Sequence, residues 1–293
     1  CLDFNGGAAE VIAKRPPTAD YLATAVSGTL VKTASNWKPA LALGSGSDAF
    51  TPPTVNVAVP GTHAIALQFG GPSSSALRAG MNTGGVPDAS AVLELEGDIG
   101  VGADELALVS TCEDGEVFRV SAVSDDGVVD GRARTSLSHA ATHNTRANFL
   151  EPYGRGGTEA QVLIMPFSTH VYYVGETGSS NERGDPIRAL FQQSMPFNDA
   201  DNPPVELVRG VENLRLSFGI GGSGGQLRYV TADDSAYDPR QIRSVRLGVL
   251  MSSYDHIAPD DDTTVYVLAG QSIPPAASPS DASAYKADKR LRL

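Results

Sequence analysis

The sequence predicts an α+β fold that is predominantly β, with extended antiparallel sheets and long loops. Three observations carry this reading. Two runs, Val205–Gly219 and Gln241–Met251, alternate apolar and polar residues on either side of a glycine-rich turn. In the first, Leu214, Leu216 and Phe218 oppose Arg215 and Ser217; in the second, Val245, Leu247, Val249 and Met251 alternate with Ser244, Arg246 and Gly248. A period of two marks strands with one buried face. Gly 31 and Pro 19, with 6% aromatics and short runs rich in Val, Leu and Thr, favour many strands joined by turns. The helix candidate is short, Ala8 to Lys14, and ends before Pro16-Pro17.

In chain order, residues 1 to 60 are otherwise irregular, with Trp37-Lys38-Pro39 in a loop. Strands are expected at Thr62 to Phe69, Glu105 to Thr111, Glu116 to Val123, Gln161 to Met165 and Val171 to Gly175. Further strands are expected at Ala189 to Gln193, Leu207 to Phe218, Gln226 to Val230, Gln241 to Ser252 and Thr264 to Leu268. Gly70 to Ser75 and Gly178 to Asn181 have the composition of exposed turns. Pro274 to Ser280 reads as a stiff excursion before a last strand near Lys289 to Leu293. Residues 72–102 and 132–157 are expected to be loop insertions at the surface of a single domain spanning 1–293.

A net charge of -12 excludes a nucleic-acid partner, which needs a basic stripe, and suits a surface that repels its own copies. No apolar run reaches the roughly 20 residues that span a bilayer.

Chemistry-bearing patterns are sparse. Gly221-Gly222-Ser223-Gly224-Gly225 matches the Gly-x-Ser-x-Gly elbow in letters, yet it lies between two strands rather than between a strand and a helix. His139 and His143 share the four-residue spacing of a helical metal pair but lack a carboxylate partner nearby, and read as exposed loop residues. His63, His170 and His256 read as packing or surface residues. Oxygen-rich clusters occur at Ser124 to Gly131, Asn198 to Asn202 and Asp260 to Asp262. The first, through Asp125, Asp126 and Asp130, is the best calcium candidate, although turns favour Asp and Gly for backbone reasons alone. No catalytic residue and no cofactor are expected.

The order of phrases is more telling than any one of them. Leu207-Val208-Arg209-Gly210-Val211-Glu212-Asn213-Leu214 leads to Phe218-Gly219, then a glycine turn, then Arg228-Tyr229-Val230-Thr231-Ala232, then a strand with Ile242, Ser244, Val245, Arg246 and Leu250. Upstream stand Leu106 to Val120 around Cys112, and Met165-Pro166-Phe167 followed by Val171 to Val174. Over about residues 105 to 251 this series resembles the head of the type IV pilus assembly protein W (PilW) family of minor pilins.

The resemblance implies a type IV pilin or minor-pseudopilin-like head whose apolar N-terminal helix lies upstream of Cys1. It implies a structural role in a complex that primes the pilus and stays at its tip, with other minor pilins, the major pilin and a tip adhesin as partners. The implied location is the inner membrane facing the periplasm and then the pilus tip, in service of adhesion and twitching motility. The family also implies a disulfide between Cys1 and Cys112; two unrelated thiols, or a lipidated Cys1, are the alternatives. The family's acidic Asp-Gly-Asp-Gly turn is missing from this chain. Competing identities are a J-type minor pseudopilin of type II secretion, a surface lipoprotein and a secreted β-rich hydrolase.

Overall fold

A computed structural model describes residues 9–11, 13, 24–44, 49–111, 114–129, 131–197, 199–221 and 225–293. Among these residues there is no α-helix, only strands and short 3-10 turns such as Glu159–Gln161 and Pro239–Gln241. The α+β expectation is therefore corrected to all-β, and the helix-plus-sheet arrangement of a pilin is not seen. The helix candidate itself supplies a strand: Ala9–Val11 pairs in parallel with Gly115–Val117. Its helical pattern is only about two turns long, so hydrogen bonds from a ready-made strand outweigh its weak propensity.

The strands in chain order begin with β1 (Ala9–Val11), β2 (Val26–Thr33), β3 (Asn36–Lys38), β4 (His63–Gly70), β5 (Ser75–Ala76), β6 (Asn82–Thr83), β7 (Val86–Pro87) and β8 (Leu93–Leu95). Next come β9 (Leu106–Ser110), β10 (Gly115–Arg119), β11 (Ala122–Val129), β12 (Arg132–Ser138), β13 (Leu163–Ser180) and β14 (Pro186–Ser194). The remainder are β15 (Val205–Arg209), β16 (Val211–Gly221), β17 (Leu227–Val230), β18 (Ile242–Met251), β19 (Tyr266–Leu268), β20 (Gln271–Ile273), β21 (Pro275–Ala276) and β22 (Tyr285–Lys286).

Two compact units emerge, the first from residues 1–22, 44–46 and 68–168 and the second from 23–43, 47–67 and 169–293. In the first unit β1, β10, β9 and the start of β13 pair in that order, and β11, β12 and β8 form a three-stranded sheet. Its core gathers Leu93, Leu95, Phe118, Leu137, Phe149, Tyr153 and Ile164. The segments 72–102 and 132–157, expected as surface insertions, thus contribute strands and core. In the first segment Leu93-Glu94-Leu95-Glu96 does alternate, but over only four residues, and the apolar residues of the second are dispersed among polar ones. Buried Glu116 on β10 ties the second segment down, accepting from Arg146 Nη2 (2.8 Å), Leu150 N (2.9 Å) and Tyr153 Oη (2.9 Å). Asn144 completes the anchor by exchanging hydrogen bonds of 2.8 and 2.9 Å with the backbone of Arg119.

In the second unit β3, β2 and β4 pair in order, β14 lies between β13 and β15, and β16 lies between β17 and β18. One core cluster holds Trp37, Tyr173, Phe191 and Phe197, so Trp37 sits in a strand and not in a loop. Another holds Val59, Ile65, Val174, Leu214, Leu216 and Phe218. The two strands expected at 161–165 and 171–175 are one, β13, running through Pro166. The run expected as one strand from Leu207 to Phe218 is two. Gly210, at φ +88, breaks it, and a Cβ there would meet Ser252 O at 2.8 Å. That left-handed kink directs β15 to β14 and β16 to β17 and β18.

Candidate functional site

β16 is buried along nearly its whole length, not only on its apolar face. Asn213 Nδ2 and Arg215 Nη2 both donate to Ala282 O, at 2.6 and 2.7 Å, and Gln271 Nε2 donates to Leu216 O at 3.1 Å. Residues 271–293 thereby cover polar groups that an alternating pattern assigns to solvent. Burial pushes the Arg215 guanidinium below its ordinary value, and it stays charged at any physiological pH.

Glu212 anchors the same cover. Arg290 Nη1 and Arg292 Nε reach its two carboxylate oxygens at 2.6 and 2.8 Å, and Arg292 Nη2 continues to Asp288 Oδ1 at 2.8 Å. Asp262 adds a longer contact with Arg292 Nη1, 3.5 Å. Arg292 also lies 4.4 Å over the Tyr285 ring. Burial works against ionisation of Asp288, but Arg290 and the Arg292 hydrogen bond outweigh it and hold the carboxyl below its usual range.

β18 behaves in the opposite way. Val245 lies opposite Phe218, Leu247 opposite Leu216 and Val249 opposite Leu214, so all share one face of the sheet. Leu216 is 0% exposed, whereas Leu247 is 59% exposed and Val245 and Met251 are also open. The face expected to be buried on both strands is covered on β16 and runs into solvent on β18. Beyond β16, no other named strand pairs with β18 among the described residues, although Leu293 exchanges two 3.0 Å backbone bonds with Met251. Arg243 is exposed on the same strand, and exposed Arg246 lies on the face opposite the strip. Arg246 stacks 3.5 Å over Tyr229, whose hydroxyl bonds Ser244 across Gly219; that bond and Arg246 lower the Tyr229 pKa.

β15 is a second open feature. Among the described residues it pairs on one side only, with β14, and all five of its residues are exposed, including Val205, Leu207 and Val208. An edge of this kind presents unpaired backbone N–H and C=O groups beside apolar side chains.

The residues singled out from sequence fall elsewhere. Asp125 and Asp126 sit at a bulge in the β11–β12 hairpin. Asp125 accepts from Gly127 N at 2.9 Å, and Asp126 accepts from Ser124 and Ser136 hydroxyls at 3.2 and 2.6 Å. Asp130, Cys1, Cys112 and Ser223 lie outside the described residues. The strands flanking Ser223, β16 and β17, are antiparallel, which is not the strand-to-helix geometry of a nucleophile elbow. His139 is buried rather than exposed; its Nε2 lies 2.8 Å from Ala91 O, and its ring packs 4.1 Å from that of Phe149. The structure does not bring His139 and His143 into one set: His143 Nδ1 meets Thr142 Oγ1 at 2.9 Å.

Sequence reading assigned His256 to packing or the surface and did not join it to a site. Its ring lies with Asp185 and Asp288, 71 residues before it and 32 after it, so no spacing announces them.

No helix among the described residues is long and apolar enough to cross a membrane. Residues 171–292 match the family model described as Type IV Pilus-assembly protein W. The resemblance read from sequence covered residues 105 to 251; the matched range shares its C-terminal part, leaves out 105–170 and adds the segment that closes over β16. No curated protein is significantly similar to the chain. No solved structure is significantly similar either.

Proposed function

We propose that the chain is a minor pilin of the complex that initiates pilus assembly, a reading supported by the match of residues 171–292 to the type IV pilus-assembly protein W family model. Its role in this reading is structural: it docks neighbouring subunits, and no covalent bond is made or broken. The observation that carries the reading is the apolar strip of β18, with Leu247 59% exposed inside the matched range. An apolar strand face continuous with a core, and left open, has the character of half an interface.

Charge favours an unlike partner over a second copy. At a net charge of -12 two copies repel, which favours a partner of different charge. The open edge of β15 offers strand addition as a further mode of contact. Membrane attachment, in this proposal, belongs to a segment upstream of Cys1.

Size-exclusion chromatography with purified minor-pilin heads of the same pilus system tests the proposal. The expected result is a stable heteromeric peak that Leu247→Asp disperses. The proposal falls if the wild-type chain joins none of those heads, or if it associates instead with minor pseudopilins of type II secretion.

A further inference from the structure

We propose that Asp185, His256 and Asp288 form a binding site for a divalent transition-metal ion of the zinc type. One ligand atom from each residue lies within 4.8 Å of the other two. His256 Nε2 is 3.8 Å from Asp185 Oδ2 and 3.8 Å from Asp288 Oδ2. Those separations are too long for hydrogen bonds. They are close to the roughly 3.4 Å between two ligands of a tetrahedral ion held at about 2.1 Å from each.

The second observation is independent of the carboxylates. The His256 side chain is only 8% exposed, and among the described residues neither ring nitrogen has a hydrogen-bond partner; Asp185 Oδ2 is buried and has none there either. Buried polar atoms left bare carry a desolvation cost that a bound ion removes.

The neighbours have the form of an outer shell. Lys286 Nζ holds Asp185 Oδ1 at 2.5 Å, and Arg292 Nη2 holds Asp288 Oδ1 at 2.8 Å, which leaves the second oxygen of each turned toward His256. Arg290 also reaches Asp288 Oδ2 through Nε and Nη2, both at 2.9 Å, so ion binding requires this guanidinium to shift toward Glu212, to which its Nη1 is already paired at 2.6 Å. Asp185 also lines a cavity of about 280 Å³ with Lys286 and Arg290. One imidazole and two carboxylates select zinc-like ions over calcium, which takes six or more oxygens.

Isothermal titration of the EDTA-treated chain with ZnCl2 tests the site, alongside melting curves. One ion per chain and a raised Tm are expected. His256→Gln and, separately, Asp185→Asn each weaken binding at least about tenfold while melting like the metal-free wild type. Because a variant can misfold, the visible spectrum of the Co2+-loaded wild type provides a second measurement, expected to lack a sulfur-to-cobalt band. No zinc binding, binding that survives both substitutions, a preference for Ca2+, or a sulfur-to-cobalt band each overturns the proposal.

Discussion

The backbone N–H of Leu216 donates to Nδ1 of His63 at 3.0 Å, joining β16 to a strand 153 residues earlier. The bond requires an unprotonated Nδ1 inside the core cluster of Ile65 and Phe218. Burial above all, with the Arg215 charge adding to it, pushes the His63 pKa down to about 4.

A pH dependence follows. In the unfolded chain His63 titrates at its ordinary value, so below that value the unfolded state binds more protons than the folded one. The contribution of His63 is fully present above about pH 6.5 and is lost as pH falls toward about 4. By pH 4.5 the loss amounts to about 2.5 kcal/mol. Urea unfolding read by Trp37 fluorescence at several pH values checks this, and His63→Asn should flatten the slope between pH 6.5 and 4.5.

Leu216 and Leu247 face one another across the β16–β18 ladder, yet they are expected to respond differently to substitution. Leu216→Ala empties a fully buried position and costs about 2–5 kcal/mol. Leu247→Asp touches solvent and changes stability by no more than about 0.5 kcal/mol. Equal losses in thermal unfolding would mean that the β18 face is covered after all.

The Arg292 network predicts strong coupling. Arg292→Met leaves Arg290 as the remaining guanidinium partner of Glu212 and Asp288, 5% and 4% exposed, and is expected to cost about 1.5–3 kcal/mol. Adding Glu212→Gln removes a charge that has already lost one partner, so the double variant should lose less than the sum of the two singles. Additive losses in a double-mutant cycle would contradict the pairing.

Gly28 on β2 has no room for a side chain, since a Cβ there would stand 2.1 Å from the Phe218 ring. Gly28→Ala should cost about 1–3 kcal/mol through overpacking. Phe218→Leu in the same chain should recover part of that loss, a sign that the cost is steric and not a matter of strand propensity.

The sequence by itself determined the β class of most of the chain, the alternation on β16 and β18, the glycine-bounded turn between β16 and β17, and the resemblance of the C-terminal part to the type IV pilus-assembly protein W family model. These are local properties, set by side-chain period and turn chemistry over a few residues. It also determined that one face of β18 is apolar. Only the tertiary structure decided that this face is left open while the polar side chains of β16 are buried, because cover is supplied by segments remote in sequence, such as residues 271–293. The same holds for Glu116, whose charge is satisfied by Arg146 and Tyr153 thirty and more residues away, and for the meeting of Asp185, His256 and Asp288. Periodicity states which side chains share a face; what packs against that face is a long-range choice that no local pattern encodes.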